Sequence, residues 1–457
     1  MADLPISVVH LRRLFKFAFG VPLQSYIRSR KLATSLETLM QTEKRVLDIA
    51  IECGYEHEQT YIRAFKREYG LTQSPLNVPL LVVRSYCLVT KNLSVRKGDC
   101  MNYNEVVSIG DTYLLAVVSE LFGLEGYEIQ LIPAHDGGRN VVYTCEKEGA
   151  DAKILRIAFL PDRNREDFLG EVEYIRYLFE HGGSVSDVVS SRKGNLLEEI
   201  THNNHTFFIC LFVKAKGKML VENHYRYREG VPITEYYYNC GKALGKLHQI
   251  SKGYTPVHRR YSFFDKYNAE YIDKLIPNSL SLLKEKLIEL LHTLKGLDRN
   301  QETFGMIHFD YNDGNYSIDF DTGQITVYDF DNSCYCWYMF DLAGLWTQGV
   351  GWIQFEPDTG KRKKFMDDYF ETVLAGYRSE TKIEDSMLEN LPLFIQASAM
   401  ENIVDSFEVM QNSGEKPKCD EELSYLIKCL EDDIPLKGFF HEIYSCEEPF
   451  EYEERNI

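Results

Sequence analysis

At 457 residues the chain is long enough for about two or three domains, and its hydrophobic content of 44% is ordinary for globular proteins. No apolar run approaches the roughly 20 residues that span a bilayer, Met1-Ala2-Asp3-Leu4-Pro5 carries no export signal, and the eleven cysteines show no metal-like spacing, so a cytoplasmic protein with free thiols and no membrane partner is expected. The formal net charge of −18 is uneven: residues 1–80 hold 11 Lys+Arg against 8 Asp+Glu and the remainder 40 against 61, which excludes nucleic acid as a partner for all but the first 80 residues.

Thr42-Glu43-Lys44 precedes an amphipathic helix of about two turns carrying Val46, Leu47, Ile49 and Ala50. Cys53-Gly54-Tyr55 breaks it, and a second helix runs from His57 to Tyr69, ended by Gly70. Two short helices joined by a glycine turn, the second basic, describe a helix-turn-helix. His57, Gln59 and Thr60 stand near the start of that second helix, where polar groups read base edges; Arg63, Lys66 and Arg67 can grip phosphate. On His10-Leu11-Arg12-Arg13-Leu14-Phe15-Lys16, Val46-Leu47-Asp48-Ile49-Ala50, Gly54-Tyr55, Arg63-Ala64-Phe65-Lys66-Arg67 and Tyr69-Gly70-Leu71-Thr72, residues 6–75 resemble the DNA-binding domain of AraC/XylS-type transcription regulators. The resemblance implies two helix-turn-helix units binding double-stranded DNA, the first truncated of its supporting helices, with Ile62 where the family usually has a small polar residue. An all-α domain over 1–78 and a connector over 79–105 are expected.

Leu114 to Leu121 reads as a helix, followed by strands over Tyr127–Ile132, Asn140–Glu146 and Lys153–Phe159. Between the first two strands, Gly137 and Gly138 let backbone amides approach a phosphate, or serve a simple turn. Along the third strand Ile154, Arg156 and Ala158 share a face. The next helix has a buried stripe of Phe168, Val172, Ile175, Leu178 and Phe179, and at about 100° per residue Glu171 falls inside it while Glu173 does not. A carboxylate in an apolar stripe needs a partner, and Arg156 is the natural one. The apolar run Phe207–Val213 reads as a buried strand.

Further on, His308-Phe309-Asp310-Tyr311-Asn312-Asp313-Gly314-Asn315 places an Asp and an Asn five residues apart in a polar loop. Short strands at Tyr316–Ile318 and Ile325–Tyr328, with Asp321-Thr322-Gly323 as the turn, fold Asp329 of Asp329-Phe330-Asp331 back beside Asn315. Phosphoryl transfer to an alcohol needs one carboxylate to orient the hydroxyl, and an amide plus a second carboxylate for Mg²⁺. An inert acidic hairpin tip is the bland alternative.

On Asn140-Val141-Val142-Tyr143, Ile154-Leu155-Arg156-Ile157, Gly170-Glu171-Val172-Glu173, Gly241 to His248, His308 to Asn315, Asp329-Phe330-Asp331 and Phe340-Asp341-Leu342-Ala343, residues 137–346 resemble the aminoglycoside phosphotransferase and choline kinase-like superfamily. The resemblance implies an α+β, protein kinase-like fold: a small β lobe over 106–214, a large helical lobe over 215–445, and ATP or GTP between them. It implies Asp310 as the catalytic aspartate, with His308 shaping its loop, and Asn315 and Asp329 as Mg²⁺ ligands. Arg156, anchored by Glu171, would bind phosphate oxygens alongside Gly137 and Gly138. A hinge near Phe212-Val213-Lys214 would offer backbone groups to the base, and Asp341 would brace the catalytic loop. Phe309 replaces a frequent glycine and Asp313 adds charge. His248 reads as packing, and Asp331 as either a second metal ligand or a loop carboxylate.

Helices are expected over Lys364–Tyr377, Leu393–Gln411 and Glu421–Glu431; Glu401, Asp405 and Glu408 form either a contact for a cationic substrate or a solvated face. Residues 446–457 form an acidic tail. The reading is a small-molecule phosphotransferase, acting on a hydroxyl of an aminoglycoside-, choline- or homoserine-like acceptor, fused to a DNA-binding domain. The alternative is a transcription regulator whose kinase-like domain senses a ligand.

Overall fold

The chain divides into two units, residues 1–88 and 89–457. The computed structural model describes residues 50, 101–132, 139–159, 163–223, 225–353, 356, 358–413, 419 and 421–432. The expected helix-turn-helix with His57, Gln59, Thr60, Arg63, Lys66 and Arg67, the connector up to residue 100, Gly137, Gly138 and the acidic tail lie outside the described residues.

In the second unit a capping box starts the first helix, α1 (Tyr103–Ile109): Asn102 accepts from the Glu105 amide and Glu105 answers on the Asn102 amide. Helix therefore begins inside the stretch expected as connector. One π-helical turn leads into α2 (Leu115–Phe122), which Gly123 ends at φ +69°. Strands β1 (Glu128–Ile132), β2 (Asn140–Glu146) and β3 (Lys153–Ala158) precede α3 (Arg165–Glu180), and β4 (Val188–Val189), β5 (Glu198–His202) and β6 (His205–Val213) follow it. The sheet order is β1-β2-β3-β6-β4, with β5 on β6, and every pairing is antiparallel.

Alternation sorts the two faces of this sheet. Val141, Tyr143, Cys145, Leu155 and Ile157 pack with Val106, Leu114, Val118 and Phe122 on one side. On the other, Ala158 packs with Phe168 and Val172 of α3. Glu171 is fully buried within the α3 stripe, but Phe179 is 48% exposed. Periodicity placed Phe179 inside the stripe, yet it lies in the last turn of α3, where the ring finds no covering layer.

The larger lobe contains α4 (Ile233–Ser251), α5 (Phe263–Lys266), α6 (Ala269–Leu275), α7 (Ser281–Lys295), β7 (Phe304–Ile307), β8 (Tyr316–Ile318), β9 (Ile325–Val327), β10 (Cys334–Trp337), α8 (Tyr338–Ile353), α9 (Thr359–Arg378), α10 (Asp385–Leu388), α11 (Leu391–Ser413) and α12 (Glu421–Glu431). Strands β8 and β9 form the expected hairpin, and β7 pairs with β10. One continuous apolar core joins α4, α7, α8, α9 and α11 beneath these strands. Among the described residues no helix is long and apolar enough to cross a membrane.

Candidate active site

Strand β3 carries Arg156 toward α3, and there it meets Glu171 in a bidentate pair of 2.7 and 2.9 Å. Both groups are buried, and the guanidinium lies 5.2 Å from the Phe212 ring centroid. Burial works against the Arg156 charge, but the Glu171 carboxylate outweighs it and holds the group above its ordinary range. The Arg156 Nε is buried and meets no hydrogen-bond acceptor. An unspent donor on a fixed cation suits an anionic ligand.

The loop after β7 is tied down from three directions. Asp341, in the first turn of α8, accepts the amides of His308 (3.0 Å) and Phe309 (2.9 Å), and His248 Nε2 at 3.2 Å. His248 Nδ1 lies 2.9 Å from the Tyr377 hydroxyl. Burial lowers the His248 pKa, so the ring is neutral and donates from Nε2 while accepting from Tyr377 at Nδ1. His308 Nε2 reaches the Tyr328 carbonyl at 2.9 Å; a carbonyl only accepts, so Nε2 carries the hydrogen. That bond joins the loop to the residue before Asp329.

The loop's own polar groups set its shape. Asn315 Nδ2 donates to the Asp310 carbonyl at 2.8 Å, and Asn312 Nδ2 donates to Asp310 Oδ1 at 2.7 Å. Asp310 Oδ2 takes no hydrogen bond among the described residues, which leaves an oxygen for an acceptor hydroxyl. Tyr328 N–H donates to the Asn315 carbonyl at 2.9 Å, so the hairpin does return Asp329 to the neighbourhood of Asn315. Asp329 has left-handed backbone angles, φ 60° and ψ 62°. Burial and then the Asp331 charge push its carboxyl well above the usual range, with Asp310 and Glu171 adding to the effect and Arg156 opposing it. A carboxylate in such a place calls for a cation.

Asp331 has another role. Its Oδ2 is 3.5 Å from Arg163 Nη1 and 3.7 Å from Arg139 Nη1, and its carbonyl accepts from Arg260 Nη2 at 2.6 Å. Burial opposes its ionisation, but these arginines with Arg156 hold it below the usual range. The structure thus favours a carboxylate committed to arginines over a second metal ligand. Among the described residues no three His, Cys, Asp or Glu side chains are grouped to hold a metal. Two protein oxygens, from Asn315 and Asp329, suit a magnesium ion that takes its remaining ligands from phosphate and water.

Elsewhere the site departs from expectation. At the expected hinge two backbone amides are engaged within the protein: Val213 N–H donates to Asp187 O (2.8 Å) and Lys214 N–H to Ala152 O (2.9 Å). Lys214 Nζ pairs with Glu146 at 2.7 Å near the surface. Phe212 is paired within the sheet to Ile154 and Val188, so its ring against Arg156 is what it offers the cleft. Glu401, Asp405 and Glu408 are buried, which overturns the solvated face. Lys266 Nζ lies 3.0 Å from Asp405 and 3.4 Å from Glu408, and Tyr267 donates to Asp405 at 3.1 Å. The sequence assigns no role to Arg139, Arg163 or Arg260.

A β lobe bearing a buried arginine–glutamate pair, set against a helical lobe bearing a carboxylate–amide loop and a second carboxylate, defines a kinase-fold phosphotransferase. The chain belongs to the family described as "Phosphotransferase enzyme family", whose family model matches residues 130–380. Amicoumacin kinase of Bacillus subtilis (strain 168) is 24% identical over 332 residues, 71% of this chain and 94% of that protein. The solved structure "Amicoumacin kinase hAmiN in complex with AMP-PNP, Ca2+ and Ami" shares the fold at a TM-score of 0.61 and 24% identity, covering 75% of this chain and all (100%) of the other. A microcompartment-associated aminopropanol kinase gives a TM-score of 0.51 at 19% identity, covering 71% and 94%. Residues 1–75 match the family model described as "Helix-turn-helix domain". The right origin-binding protein of Escherichia coli (strain K12) is 40% identical over 63 residues, which is 14% of this chain and 22% of that protein. Regulatory protein SoxS of Salmonella typhimurium is 38% identical over 65 residues, 14% of this chain and 61% of SoxS. A phosphotransferase domain is thus fused to an AraC-type helix-turn-helix domain.

Proposed function

We propose that this protein transfers the γ-phosphate of ATP or GTP to a hydroxyl of a small molecule, in the cytoplasm, with Mg²⁺ as cofactor, and that its N-terminal domain binds double-stranded DNA. The observation that carries the catalytic reading is the loop from His308 to Asn315, held by Asp341 and bonded through Tyr328 to Asp329. Asp310 orients the acceptor hydroxyl through the oxygen that Asn312 does not occupy. Asn315 and Asp329 would hold the metal, and Arg156, fixed by Glu171, would bind phosphate oxygens. A bound magnesium-nucleotide supplies the phosphoryl group and neutralises the charge that develops on it. His308 and Asp341 keep the loop in place. The acceptor belongs with those in the names of the relatives, amicoumacin and aminopropanol.

Nucleotide turnover against a panel of small alcohols and amine-bearing antibiotics tests this reading. Asp310→Ala should lower phosphorylation by at least a thousandfold while leaving nucleotide binding intact, and Asp329→Ala should abolish metal-dependent nucleotide binding. Turnover unchanged in both variants would remove the assignment.

A further inference from the structure

Three arginines besides Arg156 surround the turn that follows Asp329. Arg260 is buried and occupied by carbonyls: Nε donates to Ser333 (2.8 Å), Nη1 to Asp167 (2.9 Å) and Nη2 to Asp331 (2.6 Å). It is a structural strut that fixes the turn to the start of α3. Arg139 and Arg163 differ in where they end. Both point their Nη1 atoms at one oxygen, Asp331 Oδ2, and both reach the neutral amide oxygen of Asn332, at 3.5 Å from Arg139 and 3.2 Å from Arg163.

Their positions matter as much as their contacts. Arg139 immediately precedes β2. Arg163 precedes the Asn164 cap of α3. Asp331, which receives both, is two residues from Asp329. Two guanidiniums, each 12% exposed or less, therefore converge on the edge of the metal turn from the β lobe. A guanidinium matches a phosphate group with two parallel N–H donors, and phosphate carries more charge than one shared carboxylate.

We propose that Arg139 and Arg163 are a second phosphate-binding pair, held over the Asp329 turn by Asp331 and Asn332, which grips the terminal phosphate of the nucleotide. This inference rests on the kinase reading above. Asp331 is the anchor that presents the pair before nucleotide binds, and the arginines shift their donors from it to phosphate. Asp331 is thus a positioning residue.

Calorimetric titration of the full-length protein with AMP-PNP, ADP and AMP, each with Mg²⁺, separates the possibilities. Arg139→Gln and Arg163→Gln should each weaken AMP-PNP binding about tenfold and the double variant about a hundredfold, with ADP affected less and AMP unchanged. Arg163→Lys, which keeps the charge but not the fork, should recover only part of the loss, and serves if the Gln variants do not fold. An AMP-PNP affinity equal to wild type in the variants that fold, whatever their melting temperature, overturns the proposal and leaves the arginines as a lobe clamp. If the wild type itself binds no nucleotide, the kinase reading is what fails.

Discussion

Phe309 shows how a single residue can carry a cost and its compensation together. Its φ of +72° lies in the left-handed region, which costs a non-glycine residue about 1 kcal/mol or more. Its amide is held by Asp341, and its ring stacks on Phe340 at 4.6 Å and 6°. Stacking of that kind is worth about 0.5–1.5 kcal/mol beyond the area buried, so the ring offsets the strain. Phe309→Ala keeps the strain and loses the ring, whereas Phe309→Gly loses the ring and relaxes the backbone. The Gly variant should therefore unfold at higher urea than the Ala variant, by about 1 kcal/mol, the reverse of the usual order of these residues. A higher midpoint for the Ala variant would contradict this. His248 supplies a second residue-level test. Its folded-state pKa is lowered by burial, whereas the unfolded chain titrates near the ordinary value of about 6.5. Below that pH the unfolded state takes up a proton that the buried ring refuses, so stability present above about pH 6.5 is lost as the pH falls toward the folded value. Urea midpoints at pH 7.5 and 5.5 should drop further for the wild type than for His248→Gln; equal drops would assign the acid lability to other groups.

At the scale of elements, the pairing of α4 with α9 explains the Gly241-Lys242-Ala243-Leu244-Gly245 run. A Cβ on Gly241 would lie 1.9 Å from the Val373 carbonyl oxygen, and one on Gly376 would lie 2.0 Å from that of Tyr238. The two backbones touch, and this contact places His248 of α4 against Tyr377 of α9 and so positions Asp341. Gly241→Ala and Gly376→Ala should each destabilise by about 3 kcal/mol or more in chemical denaturation, because neither backbone can give way. Gly351, also helical, has nothing within 4 Å of its Cβ position, so Gly351→Ala should be neutral or stabilise by about 0.5–1 kcal/mol. Comparable losses at all three positions would refute the close-approach account. The same scale shows what the sequence could convey. Strand β2, helix α12 and the Arg156–Glu171 pair were legible because each follows from a local period of 2 or 3.6. The convergence of Arg139 and Arg163 on Asp331, and of Lys266 on Asp405, was not legible. These contacts join residues 139 or more positions apart, and only packing decides which polar groups meet. The burial of Asp405 and Glu408 on α11 was not legible for the same reason: their spacing is that of any helix face, and the cation they meet, Lys266, sits on α5.

The whole molecule joins two modules of opposite electrostatic character. The formal net charge is −18, yet residues 1–80 carry 11 Lys+Arg against 8 Asp+Glu. The phosphotransferase match covers 130–380 and the helix-turn-helix match 1–75, so the two share no residue. At physiological salt the Debye length is about 8 Å, so charges in contact with phosphate count for far more than charges farther away. The proposed DNA binding should then depend on Arg63, Lys66 and Arg67 of the matched helix-turn-helix region, with a modest salt slope set by the phosphates they neutralise. Lys66→Ala in the full-length protein should weaken binding to promoter fragments nearly equally for all sequences and reduce the slope of log K against log salt by about 1, whereas Arg63→Ala should alter the slope similarly. Gln59→Ala should instead lower discrimination between fragments and leave the slope unchanged. Phosphotransferase turnover should be the same in all three variants, since none lies within the residues that match the enzyme family. Slopes and preferences identical to wild type in every variant would show that DNA is not bound through these residues, because neither the phosphate contacts nor the base contacts assigned to them would then contribute.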